Sequence, residues 1–273
     1  MCQFCTKHGE GKKWYLEAKN YSDDLWNSGG RRKSAEKFVK ELGTNSYVDS
    51  FKNLVSIPED SVFGKLMRSA VEGRYRKNHY GQLVPIEDVE KIFDISNSVT
   101  RLACICRYST RGKEMRYCFG VTTPSKSVFG QYPEFGDTFE ELDKENAIET
   151  IRSLEHDGMT HSVWTMGTPY VLGVCNCDND CLSYRALRYG GLKLMFKAEY
   201  VAAVDMELCR GCRNCMRQCQ YGAISFSVPQ KRCFVDIAKC FGCGICRATC
   251  SKNAISLLDR TAIPAVRNVW LSL

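Results

Sequence analysis

The sequence lacks the motifs that would identify several classes of enzyme. It has no glycine-rich phosphate loop, no glycine fingerprint for a dinucleotide and no Cys-x-x-Cys-His haem attachment motif. Its four histidines are scattered along the chain, at His8, His79, His156 and His161. We therefore expect no flavin or nicotinamide site and no independent catalytic activity.

Long apolar runs are also missing. No stretch approaches the roughly 18–20 consecutive apolar residues of a membrane span. Residues 1–8 contain no apolar core of a signal peptide. The expectation is a cytoplasmic protein without a membrane span, in which reducing conditions keep thiols available as metal ligands.

The net charge of +7 comes from 38 basic and 31 acidic residues, without long runs of one sign. The longest basic clusters are Arg31-Arg32-Lys33 and Arg74-Tyr75-Arg76-Lys77. Nucleic-acid binding usually needs basic residues gathered on one face. We therefore expect no nucleic-acid partner, and interpret the charge as a solvated or protein-docking face.

Cysteine is abundant, with 17 residues, of which none lies between positions 6 and 103. Residues 209–219 read Cys-Arg-Gly-Cys-Arg-Asn-Cys-Met-Arg-Gln-Cys, and 240–250 read Cys-Phe-Gly-Cys-Gly-Ile-Cys-Arg-Ala-Thr-Cys. Both runs have the spacing Cys-x2-Cys-x2-Cys-x3-Cys, and the second begins 31 residues after the first (240 − 209). Eight of 18 positions are identical between 209–226 and 240–257, which indicates an internal repeat.

This spacing suits a compact iron–sulfur cluster. Three thiolates at short intervals wrap one face of the cluster, and Gly211 and Gly242 let backbone N–H groups approach its sulfides. The fourth cysteine of each run is expected to start a helix and to point towards the other cluster. The predicted ligands are Cys209, Cys212, Cys215 and Cys250 for cluster A, and Cys240, Cys243, Cys246 and Cys219 for cluster B.

The repeat resembles the bacterial two-cluster ferredoxin family over about a quarter of the chain. The resemblance implies two [4Fe–4S] clusters and an electron-transfer role. A proline commonly follows the fourth cysteine in that family, whereas Gln220 and Ser251 stand there in this sequence. The alternative is that the eight cysteines bind zinc, although zinc sites usually show paired Cys-x-x-Cys knuckles.

The sequence predicts an α+β fold with three regions. Residues 1–80 are expected to form a helical N-terminal region, with a turn at 28–30 and a helix over 58–72. Residues 81–195 are expected to form a mixed α/β domain, with a helix from Pro85, an irregular loop over 111–137 and a helix within 138–156. A hairpin over 162–174 follows, so that this unit resembles the helix and wing of a winged-helix fold. Residues 196–273 are predicted to be a ferredoxin-like (βαβ)2 module with an apolar C-terminal tail.

Six further cysteines precede the repeat, at Cys104, Cys106, Cys118, Cys175, Cys177 and Cys181. Residues 82–205 resemble the region before the ferredoxin repeat in a family of iron–sulfur proteins of anaerobes. The resemblance rests on Pro85-Ile-Glu-Asp-Val-Glu90, Cys104-x-Cys106-Arg107, Cys118, a helix ending near His161, and Val174-Cys-Asn-Cys177. Asp178, Asn179 and Asp180 stand where that family has a denser cysteine run.

Several interpretations of these six thiols remain open, because one cubane takes four. They could hold a third [4Fe–4S] cluster with two spare thiols, a non-cubane or [2Fe–2S] centre, or zinc, or they could be unmetallated. Two cysteines separated by one residue are expected to point to opposite faces of a strand. Both members of each Cys-x-Cys pair would then reach one cluster only from a turn.

Three other cysteines fall outside these groups. Cys2 and Cys5, with His8 nearby, could bind a metal completed by another chain, form a redox-active pair, or be ordinary thiols near the terminus. Cys233 lies in a predicted strand and is expected to be a small buried residue.

The last region also suggests a partner. Between residues 205 and 260 basic residues outnumber acidic ones, which favours docking to an acidic protein or compensation of the anionic clusters. The apolar tail at 262–273 either packs back on the chain or anchors another subunit.

We therefore predict an iron–sulfur subunit of an anaerobic oxidoreductase complex, which relays electrons to or from a flavin, molybdenum or tungsten enzyme. One alternative is a redox-sensing regulator with a winged helix. Another is an enzyme that binds substrate at an open iron.

Overall fold

The computed structural model describes residues 13–28, 30–43, 49, 52–53, 56–58, 60–79, 81–112, 115–122 and 139–271. The described α-helices are α1 (Asp23–Asn27), α2 (Arg31–Gly43), α3 (Val62–Asn78), α4 (Ile86–Ile95), α5 (Ile105–Arg111), α6 (Lys144–His156), α7 (Leu182–Arg188), α8 (Asn214–Gln218) and α9 (Ile245–Ala248). Short 3₁₀ turns occupy Trp14–Leu16, Ala18–Tyr21 and Arg260–Ala262. The α+β class is therefore confirmed.

Eleven strands accompany these helices in the described part of the chain. They are β1 (Gly81–Val84), β2 (Val99–Leu102), β3 (Cys118–Gly120), β4 (Glu140–Leu142), β5 (Thr160–Thr165), β6 (Val171–Cys177), β7 (Met195–Phe196), β8 (Tyr200–Val204), β9 (Ile224–Ser227), β10 (Arg232–Val235) and β11 (Ile255–Asp259). Strand β3 lies inside the segment predicted to be irregular, so that prediction was wrong for these residues. A three-residue strand is too short to show an alternating pattern.

Seven of these strands form one sheet, in the order β4-β2-β3-β6-β5-β1-β7. All neighbours are antiparallel except β1 and β7, which are parallel. The predicted hairpin is present as β5 and β6, with Val163 opposite Val174. Both of its strands are paired on their outer sides, β5 with β1 and β6 with β3, so the hairpin is an interior part of the sheet rather than a projecting wing.

Helices α4 and α6 cover this sheet because each presents one apolar face. Helix α4 begins after Pro85, as predicted, with acidic residues in its first turn that suit the positive end of a helix. Its Val89, Ile92 and Phe93 are fully buried. The same core includes Trp14 and Tyr15 from the first described residues, so these residues pack on the sheet that follows them.

The N-terminus of α3 differs from the prediction. The helix starts at Val62 rather than at the acidic residues near Pro58, because the Ser61 side chain accepts a hydrogen bond from the backbone N–H of Gly64 at 2.9 Å. A serine in this position satisfies a helix N–H that would otherwise lack a partner.

The C-terminal module follows the order β8-α8-β9-β10-α9-β11. Its strands form two separate antiparallel pairs, β8 with β11 and β9 with β10. The first and last strands of the repeat thus meet, while the middle two form a hairpin. Each cysteine run begins after a strand and ends just beyond the short helix that it contains.

The apolar tail packs back on the chain within the described residues. The backbone N–H of Lys197 donates to the carbonyl oxygen of Trp270 at 2.8 Å, and Val266 is buried. Phe196 forms an antiparallel bridge with Leu271. The tail therefore closes over the junction between the sheet and the C-terminal module.

Two further observations concern the chain as a whole. None of the helices that the structure describes is long and apolar enough to cross a membrane. Cys2, Cys5 and His8 lie outside the described residues, so the prediction of a metal site there stays a prediction.

Candidate iron–sulfur centres

One cavity in the C-terminal module, here called cavity B, is lined by Cys219, Cys240, Cys243 and Cys246. Three of these cysteines belong to the second run and one to the first. Cys240, Cys243 and Cys246 are each buried. The four thiols thus surround one space that is largely closed to solvent.

The backbone around cavity B offers N–H donors to the cysteine sulfurs. The Sγ atom of Cys240 accepts hydrogen bonds from the N–H groups of Ala202 and Gly242, each at 3.4 Å. The Sγ atom of Cys219 accepts one from Ala223 at 3.3 Å. Such bonds stabilise thiolates and tune a bound cluster, so this donor set fits a [4Fe–4S] group.

A second space, cavity A, is lined by Cys209, Cys212, Cys215 and Cys250, again three cysteines of one run and one of the other. Unlike the three buried cysteines of the second run, Cys212 is exposed. Cavity A therefore reaches the surface, where Arg210, Arg213 and Lys252 line it.

Cavity A is lined by a fifth cysteine, Cys233 of β10. Its side chain is 1% exposed, as expected for a small buried residue. The sequence did not predict that its thiol would lie beside that of Cys215.

The position of the fourth cysteine in each run differs from the prediction. Cys219 caps the C-terminus of α8, and Cys250 follows the end of α9, so neither starts a helix. Each helix begins one residue before the third cysteine, directly after Arg213 or Gly244, which adopt a left-handed backbone conformation. The third and fourth cysteines therefore lie at opposite ends of one short helix and line different cavities.

The third residue of each cysteine run is a glycine for steric reasons. Gly242 has φ +71°, and a Cβ there would lie 2.0 Å from the carbonyl oxygen of Tyr200. Gly211 has φ +68°, and its Cβ would lie 2.4 Å from the carbonyl oxygen of Lys231. Both positions combine a positive φ with close backbone packing, which only glycine accommodates.

The six cysteines upstream of the repeat converge on one place, here called the six-cysteine group. The thiol of Cys104 lies beside those of Cys106, Cys118 and Cys181, which lower its pKa. The Sγ atoms of Cys118 and Cys175 are 3.9 Å apart. The thiol of Cys177 in turn lies beside those of Cys175 and Cys181.

Four separate elements bring these thiols together. Cys104 precedes α5 and Cys106 lies in it, while Cys181 precedes α7. Cys118 of β3 lies directly opposite Cys175 of β6 in the sheet. The neighbouring thiols of Cys118 and Cys177 lower the pKa of Cys175 to about 6.

The expectation for the Cys-x-Cys pairs was wrong for Cys175 and Cys177. Side chains alternate between the two faces of a strand, so residues two positions apart share a face. Cys175 and Cys177 both lie in β6, and their thiols lie next to each other. A strand therefore presents both of them to one site without a turn.

A buried cation lies beside the six-cysteine group. The side chain of Arg107 is fully buried, and its Nη1 atom lies 3.4 Å from the Sγ atom of Cys104. Burial alone would lower the pKa of Arg107, but the sulfurs of Cys181 and Cys104 and the carboxylate of Asp178 raise it overall. A buried guanidinium needs negative charge nearby, so this environment fits thiolates or an anionic cluster.

Two buried cations also lie near cavity B. Arg260 donates hydrogen bonds to the carbonyl oxygens of Tyr200 and Cys240, at 2.8 and 3.1 Å. Lys197 lies over the ring of Phe241 and donates to the carbonyl oxygen of Ala238. Burial lowers the pKa of Lys197 to about 8 and that of Arg260 to about 10. Sequence reasoning missed both residues because they lie outside the cysteine runs.

Aromatic side chains fill the space between the six-cysteine group and cavity B. The hydroxyl group of Tyr221 hydrogen-bonds to that of Tyr184, and the ring of Tyr221 stacks on Phe241 with centroids 4.0 Å apart. Cys177 and Cys243 lie in the same apolar cluster as these rings. The two cysteine sites are therefore joined by packed side chains.

His161 was expected near a helix end, but it is a residue of the sheet. It lies in β5, because α6 ends at His156. Its Nδ1 atom is 2.7 Å from Oδ1 of Asn176, and burial lowers its pKa to about 4.

Among the described residues, no group of three or more His, Cys, Asp or Glu side chains is arranged to hold a single metal ion.

Comparison with known proteins agrees with the C-terminal part of this description. The family model described as a 4Fe-4S binding domain matches residues 202–225. A search of curated proteins finds no match to the chain. The family match supports an iron–sulfur domain of ferredoxin type with a role in electron transfer.

Proposed function

We propose that the chain carries two [4Fe–4S] clusters, in cavities A and B, and a third iron–sulfur cluster at the six-cysteine group. The observation that carries the proposal is the lining of the two cavities, each with three cysteines of one run and the fourth of the other. When bound, such clusters accept and donate single electrons. The chain would hold them by its thiolates and shield them from water.

The burial of the three sites supports a relay with a defined order. Cys104, Cys177 and Cys181 of the six-cysteine group are buried, as are three cysteines of cavity B. Cys212 of cavity A is exposed. The six-cysteine group packs next to cavity B through Tyr184 and Tyr221. We propose that electrons pass between the six-cysteine group and cavity B, and between cavity B and cavity A.

The surface of cavity A supports its role as the end that meets a partner. Exposed Arg210, Arg213 and Lys252 line this cavity, and Leu208 next to it is 47% exposed. Positive charge with an apolar neighbour suits docking of an acidic protein. The proposed partner is the catalytic subunit of an anaerobic oxidoreductase complex, such as a flavin, molybdenum or tungsten enzyme.

An iron and sulfide count on anaerobically purified protein tests the cluster content. We expect about 12 irons per chain for three four-iron clusters. About eight irons would reject the third cluster, and no more than about one iron would reject the whole proposal.

Substitutions locate each cluster. Cys104→Ser with Cys181→Ser is expected to remove the irons of the six-cysteine group and to leave about eight. Cys240→Ser with Cys246→Ser is expected to remove those of cavity B instead. If both double variants lose the same paramagnetic signal of the reduced protein, the assignment to separate sites is wrong.

Charge reversal tests the docking surface. In Arg210→Glu with Arg213→Glu, oxidation of the reduced protein by the anion ferricyanide is expected to slow, and its dependence on ionic strength to weaken. The matched control is Lys65→Glu with Arg74→Glu on α3, two exposed residues outside the C-terminal module. Equal slowing in both variants would show that only net charge matters, and would overturn the assignment of this surface.

A further inference from the structure

Cavity A contains one thiol more than a four-iron cluster needs. Cys233 of β10 lines it together with Cys209, Cys212, Cys215 and Cys250. A [4Fe–4S] cluster takes four cysteine ligands. The thiol of Cys233 lies beside that of Cys215 in this lining, so the extra thiol is next to a predicted ligand.

The internal repeat shows that the fold does not require this cysteine. Cys233 precedes Cys240 by seven residues, as Ala202 precedes Cys209 (240 − 233 and 209 − 202). The two residues are therefore equivalent in the two copies. Ala202 lines cavity B, as Cys233 lines cavity A. An alanine fits the equivalent position, so the packing of the repeat does not by itself require a thiol there.

The extra thiol occurs at the more accessible of the two cavities. Cys212 of cavity A is exposed, whereas Cys240, Cys243 and Cys246 of cavity B are buried. Exposed thiolates are the first to meet oxidants. The spare thiol is therefore present at the cavity that an oxidant reaches more readily.

We propose that Cys233 is a reserve ligand of the cluster in cavity A, able to take the place of Cys215. The inference rests on the proposed [4Fe–4S] cluster in this cavity. In the exchange, the iron–sulfur bond to Cys215 breaks and its thiolate takes up a proton. The thiol of Cys233 gives up a proton and forms the new bond to iron. No electron is transferred, and the cluster keeps four cysteine ligands.

The experiment compares equivalent cysteines of the two cavities. Cys215→Ala is expected to keep the iron and sulfide content of the wild-type protein, because Cys233 takes over. Cys246→Ala, the equivalent change in cavity B, is expected to lose about four irons, because Ala202 offers no thiol. Cys215→Ala with Cys233→Ala is expected to lose about four irons from cavity A. Ala202→Cys with Cys246→Ala is expected to recover the irons of cavity B.

The proposal is overturned if Cys215→Ala loses as much iron as the double variant with Cys233→Ala. A wild-type protein without iron would instead reject the proposed clusters, so the two failures are distinguishable.

A second measurement applies if Cys215→Ala does not fold. Wild type and Cys233→Ala are exposed to air, and loss of visible absorbance is followed relative to the starting iron content of each. The absorbance of the cluster in cavity A is expected to be lost at least about twice as fast in Cys233→Ala as in wild type. Equal rates would overturn the proposal.

Discussion

The side-chain amide of Gln220 donates a hydrogen bond to the carbonyl oxygen of Cys177 at 3.3 Å. It donates a second to the carbonyl oxygen of Gly158 at 3.1 Å. Gln220 directly follows Cys219, which lines cavity B, while Cys177 belongs to the six-cysteine group. The residue that replaces the proline common in two-cluster ferredoxins thus connects the two cysteine sites, which a proline could not do.

Substitution of Gln220 is expected to loosen this connection. Gln220→Ala removes both hydrogen bonds and leaves two carbonyl groups without this donor, which costs about 1–2 kcal/mol of folding free energy. Backbone hydrogen exchange is expected to speed up at residues 158–160 and 175–177. The control is Gln230→Ala in the exposed turn between β9 and β10. Equal exchange in both variants would show that Gln220 does not hold the two sites together.

The eight cysteines of the repeat could be predicted because their information is local. A spacing of two and three residues fixes which thiols face one cavity, and the repeat shows the pattern twice. The crossed lining by Cys219 and Cys250 does not follow from the spacing alone; the resemblance to two-cluster ferredoxins implies it. The helix position was predicted wrongly because the helix is short and begins in the loop, at Arg213 and Gly244, without the capping residues that announce a longer helix.

The six-cysteine group could not be assembled from the sequence. Its members come from α5, from the residues directly before α5 and α7, and from β3 and β6, which span 77 positions (181 − 104). Only the register of the sheet places Cys118 opposite Cys175. Long-range pairing of this kind leaves no local signal, so the sequence indicated candidate ligands without their arrangement.

Arg107 is expected to control the charge of the six-cysteine group. Arg107→Gln removes a buried positive charge beside Cys104 and Asp178. Reduction adds negative charge to a bound cluster, so the reduction potential of the third cluster is expected to fall by tens of millivolts, at about 60 mV for each 1.4 kcal/mol lost. The measurement is a redox titration followed by paramagnetic resonance.

A matched control for this prediction is Arg111→Gln. Arg111 lies on the same helix and pairs with Asp180, but its side chain is 47% exposed. Screening by water is expected to leave the potential nearly unchanged. If the two variants shift the potential equally, burial of Arg107 has no special effect on the cluster.

Alanine substitutions at Gly242 and Gly222 compare the cost of a steric clash with the cost of a left-handed backbone alone. Both have a positive φ, of +71° and +63°. An added Cβ at Gly222 meets nothing within 4 Å, whereas at Gly242 it lies 2.0 Å from the carbonyl oxygen of Tyr200. Gly222→Ala is expected to cost about 1–2 kcal/mol from the left-handed conformation alone.

Gly242→Ala is expected to cost more and to displace β8 from cavity B. Its iron content is therefore expected to fall by about four irons per chain, while Gly222→Ala keeps all of them. The measurement combines the iron count with the thermal midpoint under anaerobic conditions. If Gly242→Ala keeps all of its irons, then β8 can move without loss of the cluster in cavity B.

Glu155 is expected to make stability depend on pH. Burial raises its pKa from an ordinary value of 4.5 to about 7, with Arg247 opposing and Glu87 and Glu90 adding to the shift. Below about pH 4.5 the carboxyl is protonated in both the folded and the unfolded chain. Between about 4.5 and 7 only the unfolded chain ionises fully, so this group's contribution to stability is lost as the pH rises.

Glu155→Gln removes this dependence. The variant is expected to be about 1 kcal/mol more stable than wild type at pH 8, a value reduced because the carboxyl is partly exposed, and equally stable at pH 4.5. The control is Glu149→Gln, an exposed position on the same helix, which is expected to match wild type at both values. Thermal midpoints of the three anaerobic proteins across this range make the comparison. A difference between Glu155→Gln and wild type that stays constant with pH would show that the carboxyl of Glu155 ionises in the folded protein as it does in the unfolded chain.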